Sequence, residues 1–403
     1  MTMHAEAVGF SSLTRTSDIK TMKKLALNHR RNKQMDHTAL IDETSAQFDY
    51  GACDDQYWNP EEFSFLYGTP LWDQASAAQK LILNHIYWVA YYAQIVSAEI
   101  ATIYFNQTSA AGLYAIEDFR LVCDTLDLES AQERAHIAAF KSISEAVEKK
   151  LFGKRLFTYP MRSPFVETMI FHNSNRAKAF WKEIQLRAFG LLSSGNAFIG
   201  CQYFTIRGLR TLNGKLVQHR LSQFVSQADD VSAMPIPARI SYYHFLDESH
   251  HFNSSMIISH DVVKMLKAPT IFEKTLINTA IRGCQLDHSR FSTAINGIFW
   301  YDPAIYRTTY EILRSRVFAM EHKEALEMLE KCFCYENVGT HASRATQLTA
   351  KKSYINFVDN LDFVTASNRQ MLSMKCADIN EHLRHNRQKL DRFITGRQYG
   401  STM

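Results

Sequence analysis

Residues 242–252 read YYHFLDESHHF. This stretch holds three histidines (His244, His250, His251) and two carboxylates (Asp247, Glu248) between aromatic rings. On a helix, residues three and four apart share a face. His244, Glu248 and His251 therefore point one way, Asp247 points to the adjacent face, and His250 points away from Glu248 and His244. Burying an isolated carboxylate costs several kcal/mol unless it is paired, protonated or bound to metal. A helix carrying this pattern is either a polar stripe at a surface or one wall of a metal site.

The rest of the chain supplies the other walls. Its 403 residues suffice for one large domain or two ordinary ones, and 46% apolar with 21% charged residues describes a soluble globular protein. A net charge of +4 is too small to argue for nucleic acid. The most basic run, KTMKKLALNHRRNK at 20–33, reads as a solvated helix face. Seven scattered cysteines fit free thiols in a reducing cytoplasm. The N-terminus has no signal-peptide pattern, and the longest apolar run, 86–98, is too short to span a bilayer. Cytoplasmic localisation, no membrane and no nucleic acid are the expectations.

Only eight prolines and fifteen glycines occur, so long helices fit between them. Helical apolar spacing is common and strand-like alternation rare, which predicts an all-α fold. Helices are expected at about 76–106, 114–149, 175–212 and 238–266. Gly112 would interrupt the chain after the first, a loop with Pro160 and Pro164 would follow the second, and Asn213-Gly214 would stop the third. A long connection, 215–237, would precede the fourth. Residues 1–60 read as a loosely organised extension, 61–268 as a four-helix bundle, and 269–403 as additional helices packed on it.

Glu133-x-x-His136, within SAQERAHIAAF, repeats the Glu248-x-x-His251 spacing on the second expected helix. Glu99 sits on the first, in the almost apolar VSAEIATIYF. Singly, Glu133 fits an exposed face, as does Glu129; jointly, one bundle centre accommodates them all. Carboxylate-bridged dimetal bundles take a Glu from each of two helices and a Glu-x-x-His from each of the other two. Iron suits such mixed carboxylate and imidazole ligands. The metal candidates are Glu99, Glu133, His136, His244, Glu248 and His251, with Asp247 behind a ligating histidine of a neighbouring helix. On the third helix the position falls to Gln202, in AFIGCQYF, with Glu183 as the alternative.

His244-x-x-x-Glu248-x-x-His251 adds one histidine to the usual bundle pattern, and in this it resembles the p-aminobenzoate N-oxygenase (AurF-type) diiron family. The resemblance covers roughly residues 75–265, matching at Glu99, Glu133, His136, His244, Glu248 and His251 and departing at Gln202. It implies a ferritin-like fold, two non-haem iron ions, dioxygen as co-substrate, and N-oxygenation of an amine to a hydroxylamine, nitroso or nitro product. An external electron donor is implied too, since neither a dinucleotide fingerprint nor a Walker-type loop occurs. A homodimer is a possible assembly. The alternatives are a diiron hydroxylase or desaturase acting on a C–H bond, and a non-enzymatic ferritin-like metal-binding protein.

Overall fold

Ser76 opens the longest helix. Its hydroxyl accepts from the Gln79 backbone N–H while the Gln79 side chain accepts from the Ser76 N–H, which satisfies two donors a helix start otherwise leaves unpaired. The computed structural model describes residues 15–157, 176–211, 214–295, 305–370 and 378–400. In chain order the helices are α1 (Thr16–Gln34), α2 (Thr38–Ala46), α3 (Pro70–Gln74), α4 (Ala77–Leu113), α5 (Arg120–Phe152), α6 (Arg176–Gly195) and α7 (Ala197–Thr211). They continue as α8 (Gly214–Ser226), α9 (Ile236–Met256), α10 (Ile271–Ile295), α11 (Tyr306–Leu313), α12 (His322–Phe333), α13 (Val338–Asp359) and α14 (Ile379–Gly400). The fold is all-α, without a strand among the described residues.

A ferritin-like four-helix bundle forms the middle. α4 packs on α5 and α7, and α9 closes the ring against both. Residues 83–92 of α4 are buried without a break, so this helix is apolar all round and runs inside the protein. α5 ends at Gly153, whose φ of +68° is the left-handed turn that glycine tolerates best. α9 begins on Pro235 and Pro237, where no helical N–H is lost, and widens past Met256 into a π-turn, Ile257–Asp261.

Four expectations are corrected. Gly112 does not interrupt α4, which continues to Leu113. A Cβ at 112 would run into the Ser193 carbonyl, so the glycine lets α4 and α6 touch backbone to backbone. The expected third helix is two, α6 and α7, broken at Asn196, whose side chain accepts from the Ile199 N–H and starts the second piece. The connection at 215–237 is largely helical, as α8. Of the segment 1–60, the described part from residue 15 on is packed and not loose: Met22 and Leu25 of α1 and Ile41 of α2 are buried, and α1 and α2 both pack on α5 and α9. Pro160, Pro164 and Asn213 lie outside the described residues.

The segment after residue 269 shares these cores. Tyr306, Leu329, Phe333 and Leu390 belong to one apolar cluster with Trp88 and Phe140, and Ile277, Tyr354 and Phe357 to a second with Leu25 and Phe204. The described cysteines are buried. No described helix is long and apolar enough to cross a membrane.

Candidate metal centre

Heptad-like spacing alone brings Glu133 and His136 to the inner face of α5, and His244, Glu248 and His251 to the inner face of α9. Glu99 meets them from α4. Among the described residues they form two groups, each with donor atoms within 4.8 Å of one another: Glu99, His136, His244 and Glu248 in one, and Glu133, Glu248 and His251 in the other. Glu248 belongs to both. His244 Nε2 stands 3.1 Å from Glu99 Oε1 and 3.8 Å from Glu248 Oε1. His136 Nδ1 lies 3.8 Å from Glu99 and 3.4 Å from Glu133. His251 Nδ1 lies 2.7 Å from Glu248 and 3.4 Å from Glu133. All six are buried, and Tyr92 and Phe140 wall His244, with ring centroids 5.9 and 5.0 Å away.

The donor set fits a metal. Bonds of about 2.0–2.2 Å put any two donors on one ion within about 4.4 Å of each other. Without a cation the charges conflict. Burial, and then the carboxylates of Glu133 and Glu248, hold the Glu99 carboxyl well above its ordinary pKa. Its Oε2 is buried without a hydrogen-bond partner, as is His244 Nδ1. Burial and the neighbouring His136 push His244 down to about 3. Burial opposes protonation of His136 too, but hydrogen bonds to Asp247 and Glu133 win and raise it to about 9. His251 is raised against its own burial by Glu248, Glu129 and Glu133. Glu133 is held low, its burial outweighed by hydrogen bonds to His136 and His251.

Behind the cluster each motif supports the other. Asp247 precedes Glu248 on α9, and its Oδ2 accepts from His136 Nε2 on α5 at 3.2 Å. Gln132 precedes Glu133 on α5, and its Oε1 accepts from His251 Nε2 on α9 at 2.8 Å. Both bonds put the ring proton on Nε2 and leave Nδ1 facing the centre. The parallel between Gln132-Glu133-x-x-His136 and Asp247-Glu248-x-x-His251 was the sequence signal for Gln132 that reading Asp247 alone passed over.

The helix-three expectation fares differently. Two α7 side chains make polar contacts with the helices bearing the cluster: Tyr203 Oη donates to Thr102 on α4, and Arg207 meets α5. Gln202 sits about 100° from Tyr203 and about 140° from Arg207 around the helix. Its Oε1 accepts from Thr205, and no described contact joins it to either group. Glu183 pairs with Arg187 at the surface of α6. Facing the three-donor group stands a cation: Arg207 Nη1 donates to Glu129 at 2.8 Å, and Nη2 lies 3.4 Å from Glu133. Glu129, weighed as a surface residue, is fully buried and also accepts from Ser254.

The sequence model of the CylC-like acyl halogenases matches residues 20–394. The chain belongs to this family. No curated protein and no solved structure matches it. Membership in the CylC-like acyl halogenase family corrects the N-oxygenase resemblance. The residues that carried the resemblance, His244, Glu248, His251 and the second Glu-x-x-His, bear on how donors converge and say nothing of the group to be oxidised. The family match also takes in α1 and the helices after residue 269, beyond the span of the resemblance. It makes the protein an enzyme of the oxidative halogenase or oxygenase type with a buried Glu/His cluster able to hold metal.

Proposed function

We propose that the protein is a dioxygen-dependent acyl halogenase, replacing a C–H bond of an acyl chain by carbon–halogen at a two-iron centre. Glu99, His136 and His244 would hold one ion, Glu133 and His251 the other, and Glu248 would bridge them. The balance is one C–H, one halide, one dioxygen, two electrons from an external donor and three protons, giving one C–halogen bond and two waters. The irons supply the oxidising power when bound. The chain's own part is to align the donors, to exclude water with Tyr92 and Phe140, and to keep the Nδ1 lone pairs of His136 and His251 inward through Asp247 and Gln132.

The observation that carries halogenation over oxygenation is charge, read together with the family. Two divalent ions bring four positive charges against three carboxylates, Glu99, Glu133 and Glu248. Arg207 and Glu129 cancel one another. With Asp247 paired to His37, the two groups together would keep about one positive charge, which would favour an anion such as chloride or bromide.

The test is to load the protein with ferrous iron and supply dioxygen, a reductant, chloride or bromide, and fatty-acyl probes as free acids and thioesters. A halogen isotope doublet on the acyl chain by mass spectrometry is the expected result. Hydroxylated or desaturated acyl product at saturating halide would favour the C–H oxygenase reading instead. Acyl probes left untouched while other added substrates are oxidised would refute the acyl halogenase reading.

A further inference from the structure

α1 is not one of the four bundle helices, yet both supports behind the ligating histidines end on it or on the turn after it. Asn32 and Gln132 form a reciprocal amide pair, each Nδ2 or Nε2 donating to the other's oxygen at 3.0 Å. Gln132 Oε1 is the atom that also receives His251 Nε2. Three residues beyond the end of α1, His37 binds Asp247 twice: its backbone N–H and its ring Nδ1 both reach Oδ1, at 3.1 and 2.8 Å. The other oxygen of Asp247 holds His136. The His37 ring lies parallel to Tyr243 of α9, which fixes its plane. Asn32, Gln132, Asp247, His136 and His251 are all buried.

We propose that α1 and its following turn are a working part of the metal centre, with Asn32 and His37 as positioning residues for the two metal positions separately. A glutamine amide is ambivalent, since one end donates and the other accepts. Only the Oε1 end leaves His251 protonated on Nε2 and open on Nδ1. The reciprocal pair with Asn32 holds the Gln132 amide in place and in plane, with Oε1 as the end within reach of His251 Nε2. Asp247 can rotate about its Cβ–Cγ bond, and the two donors of His37 hold one oxygen so that the other stays on His136. Asn32 therefore governs the three-donor group through His251, and His37 governs the four-donor group through His136. The inference rests on the metal reading of the site, not on which group is oxidised.

Cobalt(II) titration of the metal-free full-length protein, followed by visible absorption, tests it. Loss of a ligand's own hydrogen-bond partner weakens metal by about 10–100-fold, and Asn32 and His37, one contact further out, fall at the low end. Asn32→Leu should weaken one of two cobalt-binding steps by about tenfold and alter that step's spectrum. Asn32→Asp should restore it, because either protonation state of the acid accepts from Gln132 Nε2. His37→Phe, which keeps the Tyr243 stack and the backbone N–H, should weaken the other step, and it carries the test if Asn32→Leu does not fold. Asn28→Ala is the control. Asn28 donates to the His250 carbonyl at 3.0 Å and so docks the same helix without touching a ligand's support. Equal shifts in Asn28→Ala and Asn32→Leu, or unmoved constants in both Asn32→Leu and His37→Phe, would overturn the inference. Wild-type protein that takes up no cobalt would remove the metal centre and this inference together. Cobalt binding without acyl halogenation would fault the proposed reaction alone.

Discussion

Filling both metal positions at about pH 7.5 should release about three protons per chain. Metals bind carboxylates and neutral imidazoles, so any ligand protonated beforehand must give up its proton. Three of the six are in that state. The Glu99 carboxyl is shifted toward its neutral form by burial and by the carboxylates of Glu133 and Glu248. His136 titrates at about 9, and His251 is likewise raised. The other three are ready: Glu133 and Glu248 are held below their ordinary range, and His244 stands at about 3. One proton each from Glu99, His136 and His251 makes the three. Calorimetric titration with zinc or cobalt in two buffers of different protonation enthalpy reads the number directly. Asp247→Asn supplies the internal check. An amide cannot stabilise the His136 imidazolium as a carboxylate does, so His136 starts neutral and the count falls by about one. Release of less than about one proton by the wild type, or an unchanged count in Asp247→Asn, would refute the assignment of charge within the cluster.

Glu248→Ala should abolish binding at both positions, because Glu248 is the donor common to the two groups, whereas Glu99→Ala should spare the one built on Glu133 and His251; metal stoichiometry per chain distinguishes them. Chelated, metal-free protein should lose stability as pH rises. A histidine raised in the folded state stabilises fully below its unfolded pKa of 6.5 and no longer does so above its folded value of about 9. That shift is worth ~3 kcal/mol for His136. Urea midpoints that stay flat or climb across that interval would count against it. Gly112→Ala should destabilise by ~1–3 kcal/mol despite alanine's better helix propensity, since the new methyl meets the Ser193 backbone, which cannot rotate away. A thermal midpoint equal to or above wild type would show that α4 and α6 separate freely.

Most of the buried Glu/His cluster was legible before any coordinates because its spacing is local. Glu133 with His136, and His244 with Glu248 and His251, lie within two turns of a helix, so helical geometry alone decides that they share a face. Glu99 stood out because its neighbours in sequence are apolar. Helix three was harder to read for the opposite reason: its apolar run gives no clue to which side faces the bundle, and the contacts from it to the helices bearing the cluster come from Tyr203 and Arg207.

Sequence by itself determined the all-α class, the four-helix bundle and the convergence of two Glu-x-x-His motifs with Glu99. These follow from periodicity, sparse prolines and the cost of burying charge, which act within one helix at a time. Only the tertiary structure decided that the two groups share Glu248, that Arg207 faces the second, and that Asn32 and His37 of the N-terminal segment anchor Gln132 and Asp247. Those pairings join residues as far apart in the chain as His37 and Asp247. No local propensity encodes such a contact, because it exists only once the packing of α1 and α2 on α5 and α9 has brought the strands of the network together.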